Sequence, residues 1–554
     1  MNEWKKKSIV YEIYPQSFND TNDDGIGDIK GIIEKLDYIS KLGVNVLWLT
    51  PIFKSPLIDN GYDIADYEAI NPIYGSMADF EQLLKLSHEK GLKLVMDLVV
   101  NHTSDQHKWF EESKKSKNNP YSDYYIWRDP KKDGSAPSNL GSAFGDSAWE
   151  YVAERNQYYL HLFAKQQPDL NWDNSALRKD IYRTMRFWLD KGVDGFRMDS
   201  ISFISKPSVF TDAPILDNKA YGAYYFGSEN GPHLHEYLKE MNREVLSKYA
   251  VLLIGETPHT TTEQAEKYIA PDRKEIDMVF QFEHMHVDYG EYGRYSDVTY
   301  KMSDLRSSFT KWQNNLSWNS NYLSNHDQPR IVSRFGNDTR YRVQSAEMLA
   351  MITILQKGTP FIYQGDEIGM TNVAFNSINE FKDLEAHNTY QFLIEKGIGP
   401  EKALEMVQRK SRDNSRTPMQ WNTSVNAGFT KGKPWIKLNE NYRKINVNAD
   451  FTANNSIYSF YQKLLQLRNS SPITIDGKFE LVSTTDSDIF AYTRKLNNRK
   501  LLVIGSFADH KVRYEVPKNK FMAGTNILSN YADSAKQLPD TLYLRPYEGI
   551  VYIS

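Results

Sequence analysis

One phrase recurs along this chain and restricts the fold more than any other feature: an amphipathic helix, a charged turn ending in Gly, then an apolar strand. Copies read KLGVNVLWLT from Lys41, EKGLKLVMDLVVNH from Glu89, DKGVDGFRMD from Asp190 and QKGTPFIYQGDE from Gln356. Ahead of the first copy, Ile29, Ile32, Ile33, Leu36, Ile39 and Leu42 follow the helical period. Gly43, Gly91, Gly192 and Gly358 stand where a helix C-terminus takes a left-handed residue. Ser76, with Asp79 three residues on, is a capping signal for the helix before the second copy. The strands are near-continuous apolar runs, as expected when both faces of a parallel sheet are buried. Alternation at this scale over roughly 450 residues predicts an α/β protein built on a (β/α)₈ TIM barrel.

Eight strands are expected near Val10–Tyr14, Val44–Thr50, Lys93–Val99, Gly195–Asp199, Val251–Glu256, Met278–Phe282, Tyr322–Asn325 and Pro360–Tyr363. The interval between the third and fourth is too long for one helix. Residues 103–172, rich in Tyr, Trp, Asp, Asn and Gly, read as a domain inserted at the C-terminal mouth of strand three. The barrel then comprises 1–102 and 173–472, with an irregular polar insertion at about 371–448. From Ile473 the text changes to short alternating runs: KFELVS, DIFAYTRKL, KLLVIGSF, TLYLRP and GIVYIS. These predict a C-terminal antiparallel β-sandwich domain over 473–554.

Composition removes several function classes. With 67 Lys+Arg against 71 Asp+Glu, the net charge is −4 and no basic excess exists for a phosphate backbone, so nucleic acid is not an expected partner. Cys is absent, which removes thiolate zinc sites, Cys nucleophiles, iron–sulfur clusters and disulfides. No run approaches the ~18 apolar residues of a spanning helix, so no membrane partner is expected. The apolar run in MNEWKKKSIVYEIYP is too short for a signal-peptide core, and a cytoplasmic protein is expected, monomeric or weakly homo-oligomeric.

In a (β/α)₈ barrel, catalytic groups stand at the C-terminal ends of the strands. Those ends read DLVVNH (Asp97, His102), GFRMD (Arg197, Asp199), LIGE (Glu256) and SNHD (His326, Asp327). A single acid at a strand end is commonplace; this many at one mouth is not. Carboxylates without Cys and without a His-x-x-x-His pair suit acid/base and nucleophilic work, as in glycoside hydrolysis. Arg197, two residues from Asp199, points to the same face and would favour the ionised form of that acid.

These segments resemble the signature regions of the α-amylase superfamily of retaining glycosidases. QPDLN (Gln167 to Asn171) is similar to the oligo-1,6-glucosidase and α-glucosidase branch, as are DNGYD (Asp59 to Asp63), NHTSD (Asn101 to Asp105), NHDQPR (Asn325 to Arg330), YQGDEIGM (Tyr363 to Met370) and SRDNSRTPMQW (Ser411 to Trp421). The resemblance implies an exo-acting retaining α-glucosidase on short oligosaccharides, without an organic cofactor. Asp199 would be the nucleophile, Glu256 the general acid/base and Asp327 the third carboxylate. His102 and His326 match residues that bond glucose hydroxyls. Asp59 and Arg412 match the pair that closes the pocket behind the 4-hydroxyl, and Tyr62 the ring beneath that glucose. Phe163 and Gln167 would line the pocket. Ser200, just after the nucleophile, departs from the Val that goes with α-1,6 cleavage and from the Thr or Ala that goes with α-1,4. It is nearer the second group in size and polarity. Within the family the alternatives are a trehalose-6-phosphate hydrolase and a sucrose isomerase, whose Arg-rich loop after strand six is not found here. The non-catalytic transporter heavy chain needs a membrane segment and tolerates loss of the carboxylates.

In DTNDDGIGD, oxygen-bearing residues alternate around Gly25: Asp20, Asn22, Asp24, Ile26 (through its carbonyl) and Asp28. Such a loop suits Ca²⁺. The closing Glu of an EF-hand is missing, since Glu34 comes too late in the chain, and a helix-capping turn explains the same residues. Relatives that bind Ca²⁺ in a loop of this pattern imply a structural ion.

Overall fold

The computed structural model describes residues 1–216, 219–482 and 488–554. The expected capping signals form. Asp28 caps the helix Ile29–Leu42, accepting from the Gly31 N–H, and Gly43 ends it at φ 102°. Ser76 and Asp79 form a reciprocal capping box at the helix Met77–Glu89. Gly91, Gly192 and Gly358 also adopt positive φ.

Eight parallel strands follow: β1 Val10–Ile13, β2 Val46–Leu49, β3 Lys93–Val99, β4 Gly195–Asp199, β5 Leu252–Glu256, β6 Met278–Phe280, β7 Ser320–Asn321 and β8 Thr359–Tyr363. Their order is β6-β5-β4-β3-β2-β1-β8-β7, and the two end strands approach each other to close a TIM barrel. All residues of β1, β2, β4 and β8 are buried, which explains their mainly apolar text; the charged exceptions, Glu12, Arg197 and Asp199, belong to the site described below. The seventh strand differs from expectation. Ser320 and Asn321 pair with Thr359 and Pro360, whereas the expected segment Tyr322–Asn325 leaves the ladder. There the Tyr322 carbonyl accepts from the His284 ring at 2.9 Å, so that backbone serves a side chain instead of a neighbouring strand.

Residues 103–172 hold a three-stranded antiparallel sheet (Trp127–Arg128, Gln157–Leu160, Trp149–Val152) and the helix Lys108–Ser113, and Trp109, Tyr125 and Trp127 among them join the main core. A short hairpin, Phe53–Lys54 with Asp66–Ile70, carries DNGYD in its loop and was not expected. The insertion expected to be irregular holds two helices, Leu384–Glu395 and Pro400–Lys410, around a small core of Phe375, Phe381, Leu393, Met406 and Val407. Asp383 caps the first and Pro400 opens the second. The first helix turns a polar face to the central cavity, which hides its period in the sequence.

Beyond the barrel, Pro472–Asp476 is a helical turn ahead of the first alternating run, KFELVS. The Arg494 guanidinium donates to the carbonyls of Thr474, Ile475 and Gly477 at 2.9–3.1 Å and satisfies the end of that turn. A five-stranded antiparallel sheet then faces a two-stranded one, as the expected sandwich. Its other face lies on the barrel helix Arg342–Ile354. A Cβ at Gly505 would sit 2.6 Å from Ile352 and 2.8 Å from Met348, so only Gly permits this approach. Within KFELVS, Ser483 lies outside the described residues. No helix among the described residues is long and apolar enough to cross a membrane.

Candidate active site

A cavity of about 690 Å³ opens at the C-terminal ends of the barrel strands, a size ordinary for a small-ligand site. Asp59, Tyr62, His102, Phe163, Asp199, Ser200, Glu256, Asp327 and Arg412 all line it. The other three expected residues, Arg197, Gln167 and His326, are buried directly behind that lining.

Arg197 is the hub of the floor. Its Nη1 donates to Asp97 at 2.8 Å and to Asp199 at 2.6 Å, and its Nη2 meets Glu256 at 3.0 Å. Asp97 also accepts from Trp48 Nε1 at 3.0 Å, so the guanidinium rests on an immobilised anion. Three acids thus share one cation. Burial pushes the Asp199 carboxyl up to about 6 against the pull of Arg197, with the charges of Asp97 and Asp327 adding to the rise. Asp199 is therefore raised where Arg197 alone predicted ease of ionisation, yet it is still mostly ionised at pH 7. Burial carries Glu256 further, to about 7, and the anions of Asp199 and Asp327 reinforce it against Arg197. Ser200 adopts a left-handed conformation at φ 45°, and this aims its N–H at Glu256 Oε2, 2.9 Å away.

The opposite wall is rich in cations. Asp327 Oδ1 accepts from Arg416 at 2.8 Å and from Arg412 at 3.3 Å, and Oδ2 lies 3.1 Å from His326 Nε2. Burial opposes the charge, but these three partners hold the Asp327 carboxyl well below the usual carboxylate range. His326 Nδ1 bonds Glu12 at 2.6 Å, and Tyr62 stacks on its ring at 5.4 Å with its hydroxyl 2.7 Å from Nε2. Burial alone would lower the imidazole; Asp327 and Glu12 outweigh it and lift His326 to about 9. Arg412 also meets Asp59 at 3.3 Å, and both line the cavity. Gln167 Nε2 ties Asp59 (3.2 Å) to His102 (3.1 Å), and burial depresses the His102 ring.

Sequence reasoning missed several supporting residues. Glu12 stands in a fully buried strand, where an acid needs a partner; that was the available signal. Lys206 is buried and bonds Asp169 at 2.7 Å and Asn101 at 2.5 Å, and Asn101 in turn meets His102 at 3.2 Å. Arg416 stands in the quoted SRDNSRTPMQW, and that motif was its available signal; Arg294, Asp383 and Glu385 lie within polar text, and nothing local marks them. Asp20, Asn22, Asp24, Ile26 and Asp28 form a separate loop. The Asp20 carboxylate accepts from the N–H groups of Asn22, Asp23 and Gly25, and Asp28 accepts from Thr21 and Gly31. Among the described residues no three His, Cys, Asp or Glu side chains converge as a metal cluster.

Residues 12–477 match the family described as "Alpha amylase, catalytic domain". The chain belongs to the α-amylase family. It is a glycoside hydrolase with that family's TIM barrel, and residues 489–551 match the α-amylase SusG C-terminal domain. It is 51% identical to the oligo-1,6-glucosidase of Parageobacillus thermoglucosidasius, over 99% of this chain and 98% of that one. Among solved structures, the trehalose-6-phosphate hydrolase of Bacillus licheniformis superposes with a TM-score of 0.94 at 45% identity, and the trehalulose synthase of Pseudomonas mesoacidophila with 0.95 at 40%. Each comparison covers 100% of both chains.

Proposed function

We propose that this α-amylase-family enzyme is an exo-acting α-glucosidase that removes one terminal glucose from short oligosaccharides with net retention. The observation that carries the reading is the contact between Asp59 and Arg412 in the cavity lining, which we read as closing one end of the cavity. Asp59 and Arg412 meet there beside Asp327, while Asp199 and Glu256 face the same space from β4 and β5. A sugar seated against that end has no room for another unit beyond it.

Asp199 attacks the anomeric carbon while Glu256, protonated, gives its proton to the departing oxygen. With glucose on Asp199, its negative charge is gone and Glu256 takes a proton from the attacking water. Asp327, an anion throughout, holds hydroxyls of the distorted ring. Attachment of both working carboxylates to one guanidinium supports the short spacing of a retaining pair, ~5–5.5 Å, over the wider inverting one. Proton NMR of the first turnover is expected to show α-glucose; initial β-glucose overturns the mechanism.

Oligo-1,6-glucosidase relatives at about half identity support α-1,6 linkages among the substrates, whereas Ser200 favours retained α-1,4 or sucrose cleavage. Maltose, isomaltose, sucrose and trehalose assayed together decide between them. A phosphorylated substrate is less well supported. Arg294 and Arg412 are taken by Glu385, Asp383 and Asp59, and the acids Asp146 and Glu395 also line the cavity. Faster cleavage of trehalose-6-phosphate than of isomaltose would reverse that choice.

The proposal includes a cytoplasmic enzyme, monomeric or weakly self-associating, and a structural Ca²⁺. An all-oxygen loop suits that ion, and Asp20, Asn22, Asp24, Asp28 and the Ile26 carbonyl would hold it. The ion would stiffen the loop against the segment that meets it through the Gly25 carbonyl and the Trp435 N–H, 3.1 Å apart. Since Asp20 and Asp28 already serve backbone donors, the loop is also closed by its own hydrogen bonds. Chelation is expected to lower Tm, because an ion bound only by the folded state stabilises it. An unchanged Tm, with no metal by elemental analysis, leaves the capping turn as the whole explanation.

A further inference from the structure

We propose that Asp383 is the positioning residue that holds Arg412 at the closed end of the glucose pocket, acting through the guanidinium and not on the sugar. The inference rests on the reading of Arg412 as the pocket-closing group. Of the carboxylates around Arg412, Asp383 alone engages it from two sides. Its oxygens accept from Nε at 3.1 Å and from Nη2 at 2.5 Å, whereas Asp59 and Asp327 each stand at 3.3 Å. A fork-shaped contact fixes the plane of a guanidinium; two single, longer contacts do not.

Location strengthens the assignment. Asp59 and Asp327 line the cavity, so their oxygens face the space where sugar hydroxyls bind. Asp383 is fully buried and does not line it, and it remains on Arg412 whatever fills the pocket. The backbone that carries it is pinned as well. Asp413, next to Arg412, accepts from the N–H groups of Lys382 and Asp383 at 2.7 and 3.1 Å. Asp383 also caps the helix Leu384–Glu395, whose residues Glu385, Asn388 and Phe392 form a wall of the same cavity. One carboxylate therefore joins the glucose-binding end to the wall that faces the leaving group.

Asp383→Asn separates positioning from folding. Asn caps a helix as well as Asp does, so the cap is kept while the charged fork is lost. Loss of such a charge-assisted contact is expected to raise KM for a two-sugar α-glucoside by roughly 10–100-fold, with kcat falling less and Tm within a few degrees of the parent. The decisive step is a double-mutant cycle: in an Arg412→Ala background, adding Asp383→Asn is expected to change kcat/KM by less than about threefold. An unchanged KM in the single variant, or the full loss repeated in the Arg412→Ala background, overturns the proposal. Should Asp383→Asn lower Tm sharply, Asp383→Ser, also a capping residue, takes its place in the same cycle. If Arg412→Ala is itself silent, the pocket reading fails first; if it is damaging and the two losses simply add, only the role of Asp383 fails.

Discussion

The two sides of the cavity give opposite electrostatic settings to chemically identical groups. On the β4 and β5 side, one guanidinium, Arg197, serves three acids, Asp97, Asp199 and Glu256. On the other side, one acid, Asp327, receives Arg412, Arg416 and His326. Asp199, Glu256 and Asp327 are all desolvated, so burial alone does not separate them; the balance of cations and anions touching each does. Asp199 and Glu256 bind protons near neutrality, at about 6 and about 7, while Asp327 stays ionised. A pair poised near the working pH suits proton transfer and covalent work, and a permanent anion suits binding a ring that gains positive charge.

The largest expected effect comes from removing the proposed nucleophile. Asp199→Ala should lower kcat by roughly 10⁴-fold or more, the scale set by lost nucleophiles elsewhere. Near-normal turnover by the purified variant would erase the distinction between the two sides. Next comes the cation-rich side. Asp59→Ala or Arg412→Ala breaks a buried charge network, which usually costs about 3–5 kcal/mol, so kcat/KM on a disaccharide should fall on the order of 10²–10³-fold. Full activity in both variants would place the exo pocket elsewhere. The smallest effect is expected at Ser200, between the two working carboxylates. Ser200→Val should shift the isomaltose-to-maltose ratio of kcat/KM upward by about tenfold, within the range of one side-chain contact. A β-branched residue at φ 45° is strained, so a loss of Tm should accompany the shift. An unmoved ratio would show that linkage is set elsewhere.

The barrel was legible because its determinants are local and repeated: apolar strands, capping residues, and glycines at helix ends. Strand seven was misplaced by its apolar Tyr322 and Leu323, which are buried in the barrel core, Tyr322 against Phe280, without pairing in the ladder. The helix Leu384–Glu395 was missed because the cavity, not solvent, receives its polar face. Within the site, residues inside dense motifs were found, and all twelve stand in or directly behind one cavity. What stayed hidden was the supporting charge. Glu12 reaches His326 from the first strand, 314 residues away in sequence, and Asp383 and Arg412 meet only through tertiary structure. A pKa is a property of that assembled surrounding, so the opposition between the two sides could not be read from residue type.

The division of labour can be read most directly from the pH dependence of kcat/KM for an aryl α-glucoside whose leaving group needs no protonation, compared with a natural disaccharide. For the disaccharide, activity should fall below pH ~6 as Asp199 gains a proton and above pH ~7 as Glu256 loses one, the two limbs belonging to a coupled pair. For the aryl substrate, the alkaline limb should vanish while the acid limb remains. Identical bells for both substrates, or an alkaline limb that survives Glu256→Gln on the aryl glucoside, would contradict the assignment of Glu256 as the proton donor.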